Sequence, residues 1–240
     1  MRIQLLRRLL RPLIEDIVEE ALTKDSKNIE RYRRRQALAS SAAFVEENMP
    51  GAKPLPDKWA VLDFALQAAA PLLDMKPEGL VCEFGVASGA TLNHIAARLP
   101  GRTVFGFDSF EGLPEDWRDG YPQGAFRRTD PPRVRENARL VQGYFDKTML
   151  PFLAKHQGPA VFLHVDCDLY SSTRTVFEAM RDRIIPGCVI VFDEYFNYPG
   201  WKDGEHRALE EFLARTGLGA DYLCYCKTHQ QAAVRLTSGA

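Results

Sequence analysis

Val81-Cys-Glu-Phe-Gly-Val-Ala-Ser-Gly89 runs straight into Ala90-Thr-Leu-Asn-His94, and the reading of this stretch decides the fold. An apolar, strand-like run ends in an acid and a glycine, and a second glycine opens a helical pattern. Glycines at 85 and 89 let a ligand come close to the backbone of a strand-to-helix turn. The next apolar run closes on Phe105-Gly-Phe-Asp108, which places a carboxylate 23 positions beyond Gly85. An acid about 20 residues past such a turn is where βαβ nucleotide folds grip ribose hydroxyls. Ala87 breaks the dinucleotide pattern G-x-G-x-x-G, and no Gly-Lys-Ser/Thr follows, so neither pyrophosphate motif is complete.

Outward from this turn, short apolar runs alternate with helical patterns. Strands are expected at 80–86, 103–108, 139–142, 160–166 and 187–193, and helices at 90–99, 172–184 and 205–216. The runs at 80–86, 160–166 and 187–193 are nearly continuous in apolar residues, as in parallel strands covered on both faces. Runs 221–226 and 231–236 are too close for a parallel crossover and predict an antiparallel hairpin. The expected fold is α/β: a Rossmann-like, doubly wound, seven-stranded, mostly parallel sheet with an antiparallel C-terminal hairpin, preceded by N-terminal helices. Pro50-Gly-Ala-Lys-Pro-Leu-Pro56 punctuates the chain between a helix at 30–50 and another at about 57–73. The division expected is a helical extension over 1–55 and a domain over 56–240.

Composition bounds the function. The 240 residues are 45% hydrophobic and 26% charged, which excludes a disordered or collagen-like chain. With 31 Lys+Arg against 32 Asp+Glu the net charge is −1, so nucleic acid is not an expected partner. The five cysteines are odd in number, and Cys224-Tyr-Cys226 lacks the spacing of a zinc knuckle, so they read as reduced, buried thiols of a cytoplasmic protein. No apolar stretch approaches the ~20 residues of a membrane span, and Arg7, Arg8 and Arg11 interrupt any signal-peptide core. Leu6, Leu9, Leu10, Leu13, Ile17 and Val18 give residues 5–22 an amphipathic helical pattern. That face suits packing on its own domain or on a second subunit; a membrane-surface role for 1–22 is disfavoured by Glu15, Asp16, Glu19 and Glu20.

Glu83, before the glycine turn, suits a cationic ligand better than a pyrophosphate. S-adenosylmethionine, with its sulfonium, ammonium and ribose, fits Glu83 at the amino-acid end and Asp108 at the ribose. Asp166 ends one strand and Asp193-Glu194 end another, on the edge where open α/β sheets bind ligands. Three carboxylates there need a proton or a cation, and hard oxygen donors suit Mg²⁺ or Ca²⁺. His206, at the start of the 205–216 helix, is a candidate general base or metal neighbour. Tyr195-Phe-Asn-Tyr-Pro-Gly-Trp201 supplies aromatics for an acceptor wall or a lid.

Five blocks carry a family resemblance: Glu83–Gly89, Phe107-Asp-Ser-Phe-Glu-Gly-Leu-Pro114, Gly143-Tyr-Phe-Asp-Lys-Thr148, Val165-Asp-Cys-Asp-Leu-Tyr170 and Phe192-Asp-Glu-Tyr195. From about 80 to 236 the chain resembles the class I S-adenosylmethionine-dependent methyltransferases, and among them the macrocin O-methyltransferase type that modifies sugars. The resemblance implies cofactor contacts from Glu83, Gly85, Ser88, Gly89, Asp108, Ser109, Tyr144 and Phe145. It also implies a divalent cation on Asp166, Asp193 and Glu194, for which Mg²⁺ fits best on chemical grounds; Asp166 and His206 are the expected catalytic residues, Asp166 as proton acceptor. Glu194 stands where the family often has a second Asp. A sugar or other hydroxyl compound is the implied acceptor, and a homo-oligomer the implied assembly. Two other readings are a non-catalytic or membrane-associated protein on the same fold, and an NAD(P)-dependent oxidoreductase. Tyr198 and Lys202 match the spacing of the latter's Tyr-x-x-x-Lys pair, but Pro199-Gly200 oppose the helix that pair needs.

Overall fold

A computed structural model describes Leu10, Ile14 and residues 27–239. The amphipathic pattern at 5–22 therefore lies almost wholly outside the described residues. Elements follow the order α1 (Ile29–Asn48), β1 (Lys53–Leu55), α2 (Lys58–Met75), β2 (Leu80–Phe84), α3 (Ala90–Arg98), β3 (Val104–Asp108), β4 (Ala138–Gln142) and α4 (Phe145–Lys155). The second half holds β5 (Ala160–Val165), α5 (Tyr170–Met180), β6 (Ile184–Phe192), a short 3₁₀ turn (Trp201–Asp203), α6 (Glu205–Thr216), β7 (Gly219–Cys226) and β8 (Ala232–Thr237).

The strands form one sheet of order β1-β7-β8-β6-β5-β2-β3-β4. β2 to β6 are parallel, and β8 runs antiparallel to both β6 and β7, as the hairpin pattern predicts. The sheet has eight strands rather than seven: Lys53–Leu55 adds a parallel edge strand on β7. Its three residues include Pro54, which an edge strand tolerates and which hides it from pattern reading. A second difference is α4, absent from the sequence expectation. Met149, Phe152 and Leu153 are buried on one face of it, and Pro151 interrupts its apolar period. A third is the end of α5 at Met180, leaving Ile184 to start β6.

Alternation along buried strands feeds two cores, one on each face of the sheet. On one side Val61, Leu62 and Leu66 of α2 and Leu92 and Ile95 of α3 meet Val81, Val104, Val189 and Val191. On the other, α4, α5 and α6 bring Phe152, Phe177 and Phe212 against Phe84, Leu163, Ile190 and Phe192. The parallel strands are covered on both faces, so their carboxyl ends are the exposed edge. All five cysteines are buried free thiols. Among the described residues no helix is long and apolar enough to cross a membrane.

Candidate active site

A cavity of about 930 Å³ opens where β2, β3, β5 and β6 end. One wall is the glycine turn. Gly85 has φ +89°, and a Cβ there would stand 1.6 Å from the carbonyl oxygen of Asp166. Only glycine lets β2 leave the sheet at this point while the Gly85 N–H donates to Phe107 O at 2.9 Å and Asp166 N–H donates to Phe84 O at 2.8 Å. Ala87 also takes a positive φ of 43°, an uncommon conformation for a residue with a Cβ. What holds the turn open is Asp108. Its Oδ2 accepts the N–H groups of Val86 at 2.9 Å and Ala87 at 2.8 Å, and its Oδ1 accepts that of Phe110 at 2.7 Å. Gly85, Asp108, Ser109, Tyr144 and Phe145 all line the cavity.

The opposite wall is acidic, with Asp166, Asp168, Asp193 and Glu194 lining it. The β5–β6 register places Val165 beside Phe192, so Asp166 and Asp193 emerge from adjacent strands. Ligand atoms of His164, Asp166 and Asp193 lie within 4.8 Å of one another. Behind them Glu83 and His164 are register partners on β2 and β5. His164 Nδ1 is 2.8 Å from Glu83 Oε1, and its Nε2 is 3.8 Å from Asp193 Oδ1. Burial opposes a charge on His164, but Asp193 and Glu83 outweigh it and carry its pKa up to about 10. Burial also opposes ionisation of Asp193, yet His164 holds that carboxyl below its ordinary range. Asp166 and Glu194 go the other way: burial, then the charge of Asp193, pushes both well up. Asp168 is pushed up to about 7, chiefly by burial.

Not every residue singled out in the sequence reaches the cavity. Glu83 is fully buried and does not line it, because its register partner on β5, His164, lies on the same face of the sheet and takes its carboxylate. Ser88 is exposed and Gly89 caps the start of α3; neither lines the cavity. His206 is turned away from the acids, packed among the rings of Phe44, Tyr195 and Trp201. Burial, then the charge of Lys202, lowers its pKa. The acid that α6 sends to the site is its neighbour Glu205, fully buried, whose Oε2 accepts the N–H of Glu194 at 3.0 Å. Tyr198 and Lys202 share no helix, since Gly200 at φ +85° opens a 3₁₀ turn between them. Sequence reading missed Asp168, Glu205 and His164. The block Asp166-Cys-Asp168 was the available signal for the first.

The residues present suit a divalent cation. Among the described residues Asp193 Oδ1, 3.8 Å from His164 Nε2, and Glu194 Oε2 are buried without hydrogen-bond partners, and hard carboxylate oxygens are what Mg²⁺ and Ca²⁺ take. A buried imidazolium at His164 offsets only part of the negative charge gathered there.

Comparison with known proteins agrees with this geometry. Residues 82–195 match the family described as methyltransferase domain. No curated protein matches the chain. Among solved structures, the calicheamicin methyltransferase CalS11 is 24% identical over 87% of this chain and 93% of its own, with a TM-score of 0.58. Its apo form, described as a TDP-rhamnose 3′-O-methyltransferase, is 23% identical over 87% and 95%, with a TM-score of 0.53. The O-methyltransferase NovP is 21% identical over 73% and 79%, with a TM-score of 0.54. At these identities the likeness to the solved structures is one of fold.

Proposed function

We propose that this chain, whose residues 82–195 match the family described as methyltransferase domain, moves the methyl group of S-adenosylmethionine to a hydroxyl oxygen of a sugar or related small molecule, assisted by a divalent cation. One observation carries the reading: a single cavity joins the Gly85 turn and Asp108 on one wall to Asp166, Asp168, Asp193 and Glu194 on the other. A cofactor held by the first wall would present its methyl group to an acceptor held by the second. Three of the four lone-pair sites of the Asp108 carboxylate are taken by backbone N–H groups, leaving one for a ribose hydroxyl. Ser109, Tyr144 and Phe145 complete that wall.

Asp166, Asp193 and Glu194 would hold the cation, and Mg²⁺ suits three carboxylates that share a site with an exchangeable oxygen ligand. When bound it lowers the pKa of an acceptor hydroxyl and orients the oxygen. With Asp166 committed to the cation, Asp168 is the carboxylate left to take the proton. It lines the cavity and keeps a strained φ of +61°, the sort of backbone cost found at working sites. Asp168 receives the hydroxyl proton as the oxygen–carbon bond forms and the carbon–sulfur bond of the sulfonium breaks, leaving a neutral thioether. Alignment of the oxygen with the methyl group supplies much of the rate, and the rigid strand ends fix it. The description of CalS11 as a sugar methyltransferase supports a sugar acceptor. A cytoplasmic setting is supported by five buried free thiols. Self-association is supported by Ile29, Tyr32 and Leu38, apolar side chains exposed on α1.

Incubation with methyl-labelled S-adenosylmethionine and a panel of sugars and catechols, read by product mass, tests this function. Label should appear on oxygen, vanish in EDTA and return with Mg²⁺, and Asp193→Asn should behave like the chelated enzyme. Full transfer in EDTA by a metal-free protein would remove the cation from the reaction.

A further inference from the structure

The cavity has a third wall that the reaction above does not use. Residues 117–121 fold back on themselves, with Trp117 N–H donating to Tyr121 O at 3.1 Å and Tyr121 N–H to Arg118 O at 2.8 Å. The turn lays the Arg118 guanidinium over aromatic rings. Its carbon is 3.7 Å from the centroid of Trp117, 5.0 Å from Tyr198 and 5.3 Å from Tyr121. Contact with the rings restrains the group at the cavity, which Arg118 lines, while its N–H donors stay available for hydrogen bonds. Of its five N–H donors only one has a protein partner among the described residues, Gln230 Oε1 at 3.4 Å. Among the described residues Arg118 forms no ion pair, although six carboxylates line the same cavity. A half-buried cation, pre-oriented by the rings and acting on Asp168 by its charge without an ion pair to it, keeps N–H donors for an anion that arrives from outside.

Resting on the proposed methyl transfer, we infer that Arg118 selects an acceptor carrying an anionic group, a phosphate or a carboxylate. The planar fork suits two-point recognition of either oxyanion. The anion would sit at the Arg118 wall and so fix which hydroxyl of the same molecule reaches the methyl group. Phe126 and Tyr121, stacked with centroids 5.3 Å apart, give that wall a flat apolar neighbour for the body of the acceptor.

Pyrophosphate and glucuronate are titrated calorimetrically into the full chain in EDTA, with and without saturating S-adenosylhomocysteine. At least one anion should bind the wild type, and Arg118→Met should weaken it tenfold or more, with Arg118→Lys in between. Binding of pyrophosphate alone points to a phosphate-bearing acceptor, and of glucuronate alone to a uronic acid. In the wild type, the bound anion should also change tryptophan emission, and Trp117→Phe should remove that change, a readout that does not depend on how Arg118→Met folds. Absence of binding by both anions, or equal affinity in Arg118→Met, overturns the inference. So does a tenfold loss of S-adenosylhomocysteine affinity in folded Arg118→Met, since the guanidinium would then serve the carboxylate of the cofactor. If the wild type fails to bind S-adenosylhomocysteine, it is the methyl-transfer reading that fails; the anion titration of the unliganded chain still reports on Arg118.

Discussion

Asp108 accepts three backbone N–H groups from the two loops that flank it, so it shapes the glycine turn as well as facing the ribose site. A hydrogen bond to a charged group is worth ~1.5–3 kcal/mol. Asp108→Ala should therefore cost at least that much stability, seen as a lower Tm, and should weaken S-adenosylhomocysteine binding at least about tenfold. Scanning calorimetry and titration of the same variant separate the two effects, and wild-type affinity would dismiss the ribose role. Asp108 could be picked out from sequence because its role depends on spacing along the chain. Glu205 and His206 show the limit of such reading. One residue along a helix turns the side chain by about 100°, so Glu205 enters the acid cluster while His206 enters the aromatic cage. Sequence pattern marks where α6 begins but not which of its first residues faces the sheet edge.

At the scale of elements, α1 braces the loop that follows Asp193 and Glu194. Ser41 Oγ accepts the N–H of Asn197 at 2.9 Å, and Ser40 Oγ accepts the indole N–H of Trp201 at 3.2 Å. Phe44 presents its edge to Trp201 at 5.2 Å and meets Tyr222 at 5.8 Å. Phe44→Ala should cost about 3 kcal/mol, the low end for a partly buried ring, or roughly 6–12 °C in Tm for a chain of this size. Because the brace lies on the cation side, S-adenosylhomocysteine affinity should be retained; its loss in calorimetry would mean that α1 supports the cofactor wall too. Sequence reading found most of the long elements because their apolar periods are strong. Buried β2, β5 and β6 are continuous, and α2 and α6 repeat at helical spacing. β1 and α4 escaped it because Pro54 and Pro151 interrupt patterns that the packing of the finished sheet overrides.

For the whole molecule, topology is what assembles the acids. Glu83, His164, Asp193 and Glu205 come from β2, β5, the end of β6 and α6, and nothing in their spacing announces that they meet. Only the sheet order β6-β5-β2 brings the first three together. Gathering carboxylates in one buried place works against folding until a cation or protons offset the charge. Saturating Mg²⁺ should therefore stabilise the chain by about 2.7 kcal/mol at ~100 times Kd, or roughly 5–11 °C in Tm. EDTA should reverse the shift, and Asp193→Asn should abolish most of it; a Tm indifferent to Mg²⁺ in the wild type would count against the cation site. The central claim is that the cavity between the Gly85 turn and the acids takes S-adenosylmethionine as methyl donor. Calorimetric titration of S-adenosylhomocysteine, with NAD as the control, tests it most directly. The account predicts saturable one-site binding of S-adenosylhomocysteine, weakened in Asp108→Ala, and none of NAD. A folded wild-type chain that bound NAD, or bound neither ligand, would contradict it.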